Sequence, residues 1–197
     1  MKKQKTPVGI LLLLLITGIP GFGRGIPDLG AQDAGKAAPI INHYGAANFV
    51  AGDITKTELD IIIAAGIRSP SARNRQPWHF TVVQNRALSS KIVPNMPEGN
   101  ILIIISAAGD GKTNGSEILD CALATQSIYL AAQALGLGSR IYTGPMDAVN
   151  NRFKAELGLP GGHSAVALVR IGRLPPGVDA ASSASRRNAP DRMVTYK

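Results

Sequence analysis

Tryptophan and cysteine each occur once in this chain, and Trp, Tyr and Phe together make up only 5% of its 197 residues. With Cys121 as the single thiol, no intrachain disulfide can form in any redox compartment. Cys121 sits in an apolar helical pattern without a basic neighbour to lower its pKa, so it reads as a buried, inert side chain. Scarce aromatics leave Leu, Ile, Val and Ala to fill the core, and 45% hydrophobic residues suffice for one ordinary domain. Long apolar runs are missing too. The run from Val8 to Ile16 falls well short of the ~20 residues a membrane-spanning helix needs. Lys2, Lys3 and Lys5 precede it and Gly18 and Pro20 break it, which is the pattern of an export signal over about residues 1–25. The expectation is a periplasmic or secreted protein, with an uncleaved signal anchor as the alternative. No cysteine follows the apolar run, which argues against a lipid anchor.

Acidic residues are in deficit: 21 Lys and Arg face 13 Asp and Glu, a formal charge of +8. Lys2, Lys3, Lys5 and Arg24 against Asp28 and Asp33 account for +2 of this, leaving +6 on the remainder. Such an excess suits small anionic ligands. No basic helix interleaved with aromatics appears, so nucleic acid is not the expected partner.

Residues 26–38, rich in Gly, Ala and Asp, read as a linker, and the globular part spans 39–197. Thr55-Lys56-Thr57-Glu58 fits a capping box that opens a helix running to about position 66. A strand is expected near 79–84 and a short helix from Arg86 to Val93. Ile101-Leu102-Ile103-Ile104-Ile105 has the uninterrupted apolar, β-branched character of a strand buried on both faces. A glycine-rich loop over 106–115 leads to a long helix from Ser116 to Leu135, with Leu119, Leu123, Leu130 and Leu135 on or near one face and many alanines that allow close packing. Gly136 and Gly138 end it. A strand over about 139–143, a helix capped by Asp147 and reaching Leu157, and a strand from Ala165 to Ile171 complete the unit. Leu174–Lys197 lacks apolar periodicity and reads as an extended arm. The alternation points to an α/β or α+β sandwich on a single sheet.

Polar residues concentrate in one place, Ser69-Pro70-Ser71-Ala72-Arg73-Asn74-Arg75-Gln76-Pro77-Trp78-His79-Phe80. Pro70 and Pro77 stiffen it, and its hydroxyl, amide and guanidinium groups offer donors and acceptors in several directions. An isoalloxazine ring, whose edge alternates acceptors with one N–H donor, calls for that mixture. The plain alternative is a surface turn anchored by Trp78. Elsewhere, Ser106-Ala107-Ala108-Gly109-Asp110-Gly111-Lys112-Thr113 approaches a nucleotide phosphate loop but has Ser106 where that pattern requires glycine. His79 and His163 lie at no metal-ligand spacing, and no metal site is expected.

The segment Ser69–Phe80 resembles the flavin-contacting segment of the nitroreductase family of FMN-dependent oxidoreductases. Asp120, Ala122, Ala124, Gln126, Leu130, Ala131, Ala132 and Leu135, closing on Gly136-Leu137-Gly138, resemble that family's long central helix. The strand at 165–172 and Arg186-Arg187-Asn188-Ala189-Pro190 through Tyr196 are similar to its last strand and arm. The resemblance covers about 55–197. It implies an α+β three-layer sandwich, with a mixed or antiparallel central sheet flanked by helices. It implies FMN as cofactor, with Ser69, Ser71 and Asn74 on the ribityl chain and ring and Arg73 or Gln76 at the polar edge. Tyr142, Thr143 and Gly144 would set backbone N–H groups at flavin N5 and O4, and Arg186 or Arg187 would bind the phosphate. No side chain need act as acid or base, because the flavin carries the chemistry. Ping-pong hydride or electron transfer through N5 would run from NAD(P)H or another donor to a small aromatic or quinone-like acceptor, in a homodimer. A non-catalytic flavin-binding or structural module and a flavin-modifying enzyme are the alternatives. The chain departs from the family at its start: where a basic segment is usual, Asn42-His43-Tyr44-Gly45-Ala46-Ala47-Asn48-Phe49 contains no Lys or Arg.

Overall fold

The computed structural model describes residues 37, 40–109, 115–178 and 188–197. The expected signal and linker, the Asp110–Asn114 part of the glycine-rich loop, and Arg186 and Arg187 lie outside the described residues. Residues 29–185 form one compact unit. Residues 186–197 belong to another, in which the described part carries a single 3₁₀ turn, Pro190–Arg192.

Ile101–Ala108 is the central strand β2, and every residue of it but Ala108 is buried. It pairs antiparallel with β1 (Trp78–Val83) on one side and β4 (His163–Gly172) on the other. β3 (Gly138–Tyr142) pairs antiparallel with β4, giving a four-stranded sheet of order β1-β2-β4-β3. Alternate β2 residues serve two cores. Ile101, Ile103 and Ile105 pack with Ile62 of helix α1 (Lys56–Ile67) and Ile128 of helix α3 (Gly115–Ala134). Leu102 and Ile104 pack with Ile92 of helix α2 (Arg86–Ile92) and with Met146 and Val149. This is the expected three-layer α+β sandwich. Each fully buried Ile or Leu contributes on the order of 2 kcal/mol.

Three details differ from the periodicity reading. The buried face of α3 is formed by Asp120, Cys121, Ala124, Thr125, Ile128, Tyr129 and Ala132, whereas Leu119 and Leu123 are exposed. Small residues face the sheet because α3 lies close over it, and the bulkier leucines point away. The strand β2 runs on through Ser106–Ala108, where a loop was expected, because after a bulge at Ile105/Ser106 these residues pair with His163–Ala165. Asp147 caps nothing: it lies inside a three-residue helix α4 (Met146–Ala148), which widens into a π-helical turn over Val149–Phe153.

Two polar devices dock the chain's described start. Gln133 of α3 donates to the Tyr44 carbonyl at 2.8 Å and accepts its N–H at 3.1 Å, as a strand partner would. Ala46 N–H then donates to Ser139 of β3 at 3.0 Å. Gly66 lets α1 close on α3, since a Cβ there would lie 2.8 Å from Ile128 Cγ1.

The Thr55 capping box forms as expected, with Glu58 N–H donating to Thr55 Oγ1 at 3.2 Å and Thr55 N–H to Glu58 Oε2 at 2.8 Å. Arg173 grips the same carboxylate through two bonds, of 2.8 and 2.9 Å. The Arg173 bond holds the Glu58 carboxyl below its ordinary 4.5, against the opposing effect of burial. A carboxyl depressed in the folded state stabilises above its unfolded value and loses that contribution as pH falls through the folded one. Glu58→Gln should therefore cost about 1 kcal/mol at neutral pH. Urea unfolding midpoints of the two proteins should converge below pH 4.5.

Candidate functional site

The polar loop leaves α1 at Arg68 and enters β1 at Trp78, and three side chains of α3 hold it. Ser69 Oγ donates to Ser127 Oγ at 2.7 Å, and Ser69 is buried. Ala72 N–H donates to Asp120 Oδ1 at 2.9 Å. Arg75 Nη2 donates to Ser116 Oγ at 2.6 Å. Asp120 is 2% exposed, and its Oδ2 has no hydrogen-bond partner. A buried carboxylate is costly unless bonded, so Asp120 commits α3 to this loop.

Within the loop Ser71 folds the chain back on itself: its carbonyl accepts from Asn74 N–H at 3.0 Å and its Oγ from Gln76 N–H at 3.0 Å. Arg73, Asn74 and Gln76 all adopt positive φ, at 54°, 55° and 49°. Such backbones cost on the order of 1–3 kcal/mol each and persist only where the surroundings over-determine them. The result is an outward rim on which Arg73, Asn74 and Gln76 are exposed, with Gln76 Nε2 donating to Asn74 Oδ1 at 3.1 Å. Half-buried Trp78 and Phe80, stacked at 6.3 Å, follow the loop in β1 and pack against the core.

Tyr142 ends β3, and Thr143 and Gly144 follow it. Thr143 and Gly144 are exposed, and a Cβ on Gly144 would meet nothing within 4 Å, so this turn faces open space. The antiparallel order puts the start of β1 and the end of β3 at the same end of the sheet but on opposite edges. Three strand spacings, roughly 14 Å, separate those two edges. The structure thus brings Ser69, Ser71, Arg73, Asn74 and Gln76 together and sets Tyr142, Thr143 and Gly144 apart from them.

Neither of two open cavities is lined by the loop. The larger, about 540 Å³, is bordered by Asp53, Glu98 and Arg86, a mixed-charge set whose arginine already donates to the Met96 carbonyl at 2.9 Å. The smaller, about 360 Å³, lies between the 43–45 segment, α3 and β3, with Arg140 in its wall and, among the described residues, no acidic side chain. Its composition, not its size, makes it the better candidate for an anionic ligand. Among the described residues no group of His, Cys, Asp and Glu could hold a metal ion. His79 and His163 meet edge to face at 6.1 Å, and burial, with His79 beside it, lowers the His163 pKa. Among the described residues no helix is long and apolar enough to cross a membrane.

A nitroreductase family model matches residues 48–101 and 90–173. The chain belongs to the nitroreductase family. A protein of Archaeoglobus fulgidus, provisionally named NADH dehydrogenase/NAD(P)H nitroreductase, is 32% identical over 154 residues, covering 73% of this chain and 87% of that protein. Among solved structures, a nitroreductase with bound FMN from Desulfitobacterium hafniense DCB-2 superposes with a TM-score of 0.67 at 21% identity. It covers 81% of this chain and 96% of the other. A nitroreductase with bound FMN from Bacteroides fragilis gives 0.67 at 18% identity, covering 81% of this chain and 97% of the other. These likenesses bear out the fold expected for a nitroreductase.

Asp120, Ser116 and Ser127 are the residues the sequence reading left without a site role. A carboxylate beyond the first turn of the apolar, alanine-rich helix was the available signal for Asp120. Asp120→Ala should lower stability by about 1–3 kcal/mol, by stranding the Ala72 N–H, and should loosen the loop. Faster cleavage at 70–77 in limited proteolysis is the check, and unchanged cleavage would show that the anchor is dispensable. Cys121 lies beside it, fully buried, its thiol pushed up to about 12 by burial and then by Asp120 and Glu117. A thiol-reactive disulfide reagent should leave the native protein unmodified at pH 8 and modify it once urea is added.

Proposed function

We propose that this nitroreductase-family protein binds FMN and passes reducing equivalents from a nicotinamide nucleotide or another small donor to a small aromatic or quinone-like acceptor. The observation that carries this reading is the loop at 69–77, held by three residues of α3, with three non-glycine residues at positive φ. Its rim supplies donors from Arg73, Asn74 and Gln76 and acceptors from Asn74 and Gln76, which suits the polar edge of a flavin ring. Exposed Thr143 and Gly144 offer backbone N–H groups beside open space. FMN, when bound, supplies reversible hydride and electron transfer. The protein's part is to hold the ring against a rigid rim, direct fixed dipoles at it and keep one face accessible.

The placement of the loop and the β3 turn on opposite edges of the sheet supports a homodimer, in which the loop of one protomer and the turn of its partner close on one ring. Exposed apolar side chains on the packed helices α1 and α3 support the same assembly: Ile61 is 46% exposed and Leu119 60%. The lysine-led apolar start of the chain supports export, and an exported enzyme would draw on a reductant other than cytoplasmic NAD(P)H. The segment at 42–49, which has no Lys or Arg, favours one second reading, a module that binds flavin without turnover.

Addition of FMN to the purified protein should give protein-bound absorbance near 450 nm. Under anaerobic conditions NADH, NADPH or dithionite should bleach it, and a quinone should restore it. No bound flavin at saturation would sink the flavin reading. Bleaching by dithionite without reoxidation by any acceptor would favour the non-catalytic module. In equilibrium sedimentation the protein should run at twice its 20.6 kDa chain mass, less any cleaved signal.

A further inference from the structure

Arg140 of β3 is exposed and lines the 360 Å³ cavity together with His43, Gly45, Gln126, Tyr129 and Ile141. That volume lies at the lower end of the roughly 300–1,000 Å³ usual for small-ligand sites. Its polar wall consists of the guanidinium, the Gln126 amide, the Tyr129 hydroxyl and the His43 imidazole, the last two joined at 3.3 Å. Among the described residues no carboxylate borders it. Nor does Arg140 take part in any ion pair among the described residues, which are Lys56–Asp60, Lys91–Glu156 and Arg173–Glu58. Its guanidinium lies 5.4 Å from the centre of the Tyr142 ring, a contact that stiffens the side chain without neutralising it.

Directly across the β3–β4 ladder stands a second arginine, Arg170. It is 8% exposed, its guanidinium packs on the Phe49 ring at 4.0 Å, and its Nη2 donates to Asn100 Oδ1 at 3.2 Å. Its Nε has no hydrogen-bond partner. Burial lowers the Arg170 pKa, the Tyr142 side chain bonded to it opposes that shift, and Arg140 adds a smaller lowering effect. Like charges directly opposed on a sheet destabilise it, and in a half-buried setting the repulsion is weakly screened. An anion held between the cavity wall and Arg140 would relieve that repulsion and complete a charge-assisted pair.

We propose that this cavity binds the phosphate monoester of the flavin, with Arg140 as its principal cation and Gln126 as a second donor. The proposal rests on the flavin reading above. It gives this chain a cation from β3 beside a 42–49 segment that has none of its own. Recognition is by double charge and fork geometry, so it distinguishes FMN from riboflavin, which presents the same ring and ribityl chain without the phosphate.

Fluorescence-quenching titrations with FMN and with riboflavin separate the two proposals. The wild-type protein should bind FMN more tightly than riboflavin, and inorganic phosphate should weaken FMN binding but not riboflavin binding. Arg140→Gln should weaken FMN binding by about tenfold or more and leave riboflavin unchanged, while Arg140→Lys should recover part of the loss. Equal loss of both ligands, loss of neither, or a wild type that does not favour FMN over riboflavin would each overturn the assignment while leaving flavin binding intact. A wild type that binds neither flavin would overturn both proposals. Arg140 is exposed, so unchanged circular dichroism of the variant is expected, and a melting temperature equal to wild type separates lost binding from lost fold.

Discussion

Helix α3 lies flat against the sheet, and most other features of the molecule depend on that packing. Its inward residues Cys121, Ala124, Ile128 and Ala132 are fully buried. Alanines at two of these positions bring its backbone close to β2 and β4. Burial of this kind supplies strength but no direction. Direction comes from polar groups along the same helix: Ser116, Asp120 and Ser127 take the loop, the Tyr129 carbonyl accepts from Ser139 Oγ at 2.8 Å, and Gln133 takes Tyr44. Each such bond has a modest net worth, but leaving its buried member unpaired costs more, so together they fix one register. One helix thereby positions the polar loop at one sheet edge and the β3 strand at the other.

The charges divide in the same way. Glu58 and Arg173 neutralise each other where α1 meets the end of β4, and the pair has a structural role. Arg140 and Arg170 oppose one another at the β3 edge, and neither joins an ion pair among the described residues. A guanidinium retained in a buried position without a counter-charge works against the fold, and such positions are where ligand binding recovers what stability gives up. The loop likewise carries backbone strain at Arg73, Asn74 and Gln76 that the three tethers to α3 hold in place. Strain at one sheet edge and unbalanced charge at the other are both features of a site built for something other than stability.

Much of the fold was legible because its signals are local. Thr55 and Glu58 announce a cap, five consecutive apolar residues from Ile101 announce a strand buried on both faces, and the dense polar stretch at 69–80 announces a loop with a role. The misread features depended on what lies opposite. Leu119 and Leu123 have the hydrophobicity of core residues, yet closeness between α3 and the sheet selects Ala124 and Ala132 for the inside. Ser106–Ala108 have no intrinsic strand preference, and pairing with His163–Ala165 extends β2 through them. Asp147 sits at a plausible cap position, but the short helix begins one residue earlier, at Met146.

The order of elements, the sandwich class and the polar loop follow from the sequence alone, since each rests on periodicity, capping or composition within a short window. The tertiary structure decided which residues cooperate. Asp120 meets Ala72 across 48 positions, and Arg140 stands opposite Arg170 only because two strands pair in one register. The same register places the loop and the β3 turn at one end of the sheet but three strand spacings apart. Separations of that kind are set by non-local pairing, in which many distant contacts form together, and no window of sequence encodes them singly.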